Sequence, residues 1–163
     1  MTRLLMLLLT PLTYAALELH ATSVYDISHW PTTGWGEGLG GSAFVTMRRS
    51  LGTELFFGGG YEKNQTSALM HYQLGTRYYL GRALFFQIGV YYKTVVQAAN
   101  PPTGQQYGAT GGVGLKVPLA KKITLVLHPQ LQYGAQNLST STSTYRPLEL
   151  MVFAGVAIGS HTY

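Results

Sequence analysis

The sequence predicts an all-β chain, an eight-stranded antiparallel up-and-down barrel that crosses a membrane. Three observations predict it. Eight runs of alternating side-chain character follow one another, and the connections between them go short, long, short, long. The chain is also too poor in charge to cover itself with a water-facing surface: 10% of residues are charged, against about 25% in ordinary globular proteins.

The first 15 residues read as a secretory signal peptide. Met1-Thr2-Arg3 brings one positive charge, residues 4–9 are apolar, and Thr13-Tyr14-Ala15 offers a small-x-small cleavage site. The apolar stretch is too short to span a bilayer. Cleavage there leaves a barrel domain over 16–163, starting at Ala16 or Leu17; the alternative for the same residues is a buried first strand or helix. No later segment holds 18 uninterrupted apolar residues, so no transmembrane helix is expected. Cysteine is absent, which suits export without requiring it.

The strands are expected at 17–25, 38–48, 53–61, 68–79, 83–95, 107–119, 123–134 and 147–160, each long enough for a tilted crossing of the hydrocarbon layer. Short connections fall at 49–52, 80–82 and 120–122, and long ones at 26–37, 62–67, 96–106 and 135–145. Side chains alternate faces along a strand. In the fourth strand Met70, Tyr72, Leu74 and Tyr78 oppose His71, Gln73, Gly75 and Arg77. In the fifth, Leu84, Phe86, Ile88 and Val90 oppose Phe85, Gln87, Tyr91 and Lys93. The seventh sets Leu125, Leu127 and Leu131 against Thr124, His128 and Gln130. The eighth sets Leu150, Val152, Val156 and Ile158 against Glu149, Met151, Phe153 and Gly155. One face is continuously apolar; the other is small, polar and sparsely charged. Such a second face is a poor solvent surface and a good tight interior, which puts the apolar face against lipid. One residue resists: Pro129 removes a ladder donor mid-strand, implying a bulge at His128-Pro129 or a slipped register.

Aromatic residues gather near the strand ends: Tyr25, Trp30, Trp35, Tyr61, Tyr92, Tyr107 and Tyr133 by the long connections, Tyr78 by a short one. This fits rings placed at a membrane–water boundary better than strand propensity alone. The basic residues Arg48, Arg49, Arg82, Lys121 and Lys122 sit at the short turns, where acidic headgroups are the expected contact. No basic stripe with interleaved aromatics is present, so nucleic acid is not an expected partner.

The inward face carries Glu18, Arg48, Glu54, Arg77, Lys93, Lys116 and Glu149, joined by His20, His71 and His128. An eight-stranded barrel is filled by its own side chains, and charges inside it must pair. Glu54, Glu149, Arg77 and Lys116 are expected to form one network. No HxH, HExxH or Cys/His cluster is present, so His71 and His128 read as satisfied core histidines, with no metal and no cofactor. Ser160 and His161 are neighbours and point to opposite faces of a strand, which argues against a nucleophile–base pair.

The leader, the eight amphipathic runs, the alternating turns and a last strand ending in aromatic Tyr163 together resemble the eight-stranded outer-membrane barrel superfamily, the class of the OmpA transmembrane domain and OmpX-like proteins. The resemblance covers nearly all of 16–163. It implies a bacterial outer-membrane location with both termini periplasmic, contact with lipid and lipopolysaccharide, and insertion by the barrel-assembly machinery. It further implies a non-enzymatic structural or surface-contact role through four long loops, with a possible envelope or surface protein partner. The last strand departs from the usual assembly signal, since Tyr163 lies on the opposite face from Val156 and Ile158 and position 161 is His. The alternatives are a lipid A-modifying outer-membrane enzyme and an exported, soluble, lipocalin-like ligand-binding barrel.

Overall fold

The computed structural model describes residues 14–27, 38–50, 52–63, 67–98, 105–134 and 148–159. They form eight strands: β1 Tyr14–Asp26, β2 Gly38–Ser50, β3 Thr53–Lys63, β4 Ser67–Leu80, β5 Leu84–Ala98, β6 Gln105–Ala120, β7 Ile123–Gly134 and β8 Leu148–Gly159. Each pairs antiparallel with its sequence neighbour, and β1 pairs with β8 to close the sheet. About 12 residues at 3.3 Å each, tilted by some 40°, rise roughly 30 Å, the thickness of a hydrocarbon layer. Among the described residues no helix is long and apolar enough to cross a membrane. The expected cleavage point lies inside β1, where Ala15 and Ala16 already pair with Met47 and Thr46.

The wall and the lining are inverted relative to a water-soluble barrel. Leu74, Ile88, Leu127 and Leu131 point outward and are 44–58% exposed, while Glu18, Glu54 and Arg77 point inward at 0%. Bulky interior rings fit because inward glycines face them. A Cβ on Gly114 would sit 2.1 Å from the Phe85 ring, and one on Gly75 would sit 2.7 Å from that of Phe56. The turn after β4 uses Gly81 at φ +75°, a conformation that costs glycine little.

Two expectations are corrected. The first concerns the 62–67 connection, which is not long. β3 runs on to Lys63 and β4 starts at Ser67, leaving only 64–66 between them. Glu62 stays in the ladder opposite Leu69 and Gly40, because its carboxylate is held inside the barrel by Lys93. Three connections at that end of the barrel are therefore long, after β1, β5 and β7.

The second concerns Pro129, which neither bulges nor slips the register. Its neighbours pair with β8 without a shift, Pro129 itself lying opposite Val152. On the β6 side the ladder skips Val113 and Gly114 and resumes in the same register at Leu115–Leu127. Two missing rungs absorb the lost donor. A shallow apolar depression of about 290 Å³ lies there, lined by Gly111, Val113, Pro129, Leu131 and Leu150.

Candidate functional site

The interior is the chemically loaded part of the molecule, and it is layered. Near the short turns, β1, β3, β4 and β6 aim Glu18, Glu54, Arg77 and Lys116 at one another. Arg77 Nη1 donates to Glu18 Oε1 at 2.7 Å and to Glu54 Oε1 at 3.0 Å. Lys116 Nζ donates to both Glu54 oxygens, at 2.9 and 3.1 Å, and lies 2.7 Å from Glu18 Oε1. The Tyr79 hydroxyl donates to Glu54 Oε2 at 3.1 Å. Arg77 and Lys116 set two cations against the two carboxylates, and such pairing is the condition under which charge is tolerated in a dry interior. The Arg77 guanidinium also lies between the Phe56 and Phe85 rings, 5.0 and 4.9 Å from their centroids.

Glu149 is not part of that group. It belongs to a second one near the long connections, where Lys93 Nζ donates to Glu149 Oε2 at 2.5 Å and to Glu62 Oε1 at 3.1 Å. His71 Nδ1 stands 3.8 Å from Glu62 Oε2. The expected single network of Glu54, Glu149, Arg77 and Lys116 is thus split. The reason is distance along the wall: β3 supplies one carboxylate to each group, and the eight residues from Glu54 to Glu62 extend about 26 Å along the strand.

Amides bridge the space between. Arg77 Nε donates to Gln87 Oε1 at 3.1 Å, Gln87 Nε2 to Gln130 Oε1, and Gln130 Nε2 to Gln73 Oε1 at 3.1 Å. Beside this chain stands a cluster of rings. His128 stacks on Phe153 at 4.5 Å with 4° between planes, meets His20 edge-on at 5.1 Å, and Phe44 packs on both Phe153 and His20. The expectation of satisfied core histidines is corrected here. Neither ring nitrogen of His20, His71 or His128 has a hydrogen-bond partner among the described residues. The alternation of β1 put Glu18 and His20 on one face in the sequence, and only the closed barrel brings β7 across to them.

On the outer wall, Tyr61, Tyr107 and Tyr133 are exposed toward the end of the barrel opposite the basic turns, with Tyr25 and Tyr92 half-buried there. Tyr72, Tyr92 and Tyr107 stand in direct cross-strand register on β4, β5 and β6, which makes Tyr72 a member of this row that strand-end position alone did not reveal. Tyr78 lies at the other end, stacked on Phe86 at 5.0 Å. Trp30, Trp35 and the Ser160-His161 pair lie outside the described residues. Arg82, Lys121 and Lys122 are exposed at the short turns.

The sequence matches no known family profile and no curated protein. Solved structures do match. The N-terminal β-barrel domain of Pseudomonas aeruginosa OprF superposes with a TM-score of 0.66 at 15% identity, over 91% of this chain and 98% of that one. The outer membrane protein AlkL gives 0.58 at 11% identity over 91% and 90%. Ail, the attachment invasion locus protein of Yersinia pestis, gives 0.55 at 7% identity over 91% and 97%. The fold is that of the eight-stranded outer-membrane barrels.

Proposed function

We propose that this chain is an integral protein of the bacterial outer membrane, held there by its barrel and acting through the connections at the Tyr61–Tyr107–Tyr133 end rather than by catalysis. The observation that carries the reading is the inverted surface: a closed wall of exposed Leu, Ile, Val and Tyr around a charged, hydrogen-bonded lining. Water disfavours such a wall and lipid favours it. The strands start and finish at the end that carries the basic short turns, since Ala16 pairs with Gly159 there. With that end in the periplasm, the connections after β1, β5 and β7 face outward. The packed lumen supports a contact role over conduction, and Ail, named for attachment and invasion, is one neighbour of this shape. Lipid and lipopolysaccharide are the partners of the wall, the barrel-assembly machinery is the partner in biogenesis, and an envelope or surface protein is the partner of the loops.

The test is fractionation combined with surface labelling. The protein should remain with outer membranes, and its detergent-extracted band should change mobility on heating. An epitope placed within 100–104 should be reached by antibody on intact cells, while one placed after Tyr163 should not. Recovery in the soluble periplasm overturns the reading, and the opposite labelling pattern overturns the orientation.

A further inference from the structure

The unspent chemistry of the interior lies at Glu18, His20 and His128. Glu18 and His20 are two residues apart on β1 and share its inner face; His128 comes from β7, across β8. One carboxylate oxygen of Glu18 and one nitrogen from each histidine lie within 4.8 Å of one another, all fully enclosed. Arg77 and Lys116 hold Glu18 through Oε1. The other oxygen, Oε2, is left 3.5 Å from His20 Nε2 and makes no hydrogen bond among the described residues. The four ring nitrogens of His20 and His128 make none either. A buried polar atom without a partner is destabilising. Phenylalanines would fill the same space without that cost, as Phe44, Phe56 and Phe153 already do beside it.

We propose that these three side chains form a binding site for a divalent first-row transition metal ion, zinc being the simplest case. Two imidazoles and one carboxylate are the donor set such ions take, with a fourth position left for water. A single carboxylate oxygen is too little for calcium or magnesium, which need several oxygens. Bonds of about 2.0–2.1 Å in a tetrahedral arrangement put ligands roughly 3.4 Å apart, so modest rotations about χ1 and χ2 close the 4.8 Å separation. The flat stack of Phe153 on His128 fixes one ring's plane. Arg77 and Lys116 oppose a dication, and that opposition gives the site a sign that can be checked. It does not depend on the membrane reading.

The test uses the full chain carrying His29→Asn and His161→Asn, refolded into detergent with Zn²⁺ or Co²⁺ supplied during refolding so that entry is not limiting. One ion per chain is expected, with a visible Co²⁺ band. In ¹⁵N-histidine spectra Zn²⁺ should move the His20 and His128 signals and leave His71 in place. His128→Phe and His20→Phe should each weaken binding at least tenfold, whereas Lys116→Gln should tighten it by roughly tenfold or more. No bound ion, or binding that moves His71 in place of His20 and His128, overturns the proposal. The spectra come from chains with all three ligands intact, so the result stands even where a variant fails to fold.

Discussion

Replacing Arg77 by methionine tests whether the Glu18–Glu54–Arg77–Lys116 group is held by its balance of charge. Arg77 is fully buried, donates to Glu18, Glu54 and Gln87, and offsets one of two carboxylates. Methionine fills much of the same volume but removes one of the cations that hold Glu18 and Glu54, leaving the buried group one positive charge short. Breaking a buried pair in this way costs about 3–5 kcal/mol. With m near 2 kcal/mol/M, the urea midpoint should fall by roughly 2 M. The assay is urea unfolding in lipid vesicles, followed by tryptophan fluorescence and by the heat-sensitive gel shift. The decisive comparison is the double variant Arg77→Met/Glu18→Gln, which leaves Glu54 and Lys116 as a neutral pair at 2.9 and 3.1 Å. It should recover all but ~1–2 kcal/mol of the loss. A single variant costing under ~1 kcal/mol, or a double variant no better than the single, refutes the argument from charge balance.

Two further outcomes follow from the wall and the lining. Gly114→Ala should cost ~1–3 kcal/mol by overpacking against Phe85. Gly111→Ala, whose added Cβ meets nothing nearer than 3.8 Å, should stay within ~0.5 kcal/mol in the same unfolding assay. Leu74→Arg, mid-strand on the exposed wall, should cost about 2–4 kcal/mol for a barrel folded in a bilayer. A change near zero in vesicles would show that this face does not meet lipid.

The alternation of faces was legible in the sequence because the strand period of two is a local property. Reading Leu84, Phe86 and Ile88 against Phe85 and Gln87 needs no knowledge of neighbours, and the structure keeps that split. Strand ends away from the basic turns were less legible. Hydropathy falls off at Tyr61, so the pattern alone puts Glu62 in a loop, yet the hydrogen-bonded ladder continues through Glu62 and Lys63. Pairing across the lumen was not legible at all. Arg77 meets Glu18 from a strand that is not its neighbour, and which residues share a level depends on the tilt and stagger of the closed sheet. The same geometry separates Glu149 from Glu54 and brings His128 to His20. Pro129 implies a bulge in the sequence only because a missing donor looks the same there whether a bulge or skipped rungs absorb it.

The β1–β8 seam places the start and finish of the barrel side by side. Ala16 and Gly159 are paired residues on adjacent strands, which lie about 4.8 Å apart. A few residues are enough to join those ends, and a chain linked there and reopened between β7 and β8 would be a circular permutant that keeps the closed sheet and its lining and loses only the two rungs of Tyr14 and Ala15. Its new ends would emerge at the opposite rim. A fused cargo would then change sides of the barrel without any change to the wall that holds it.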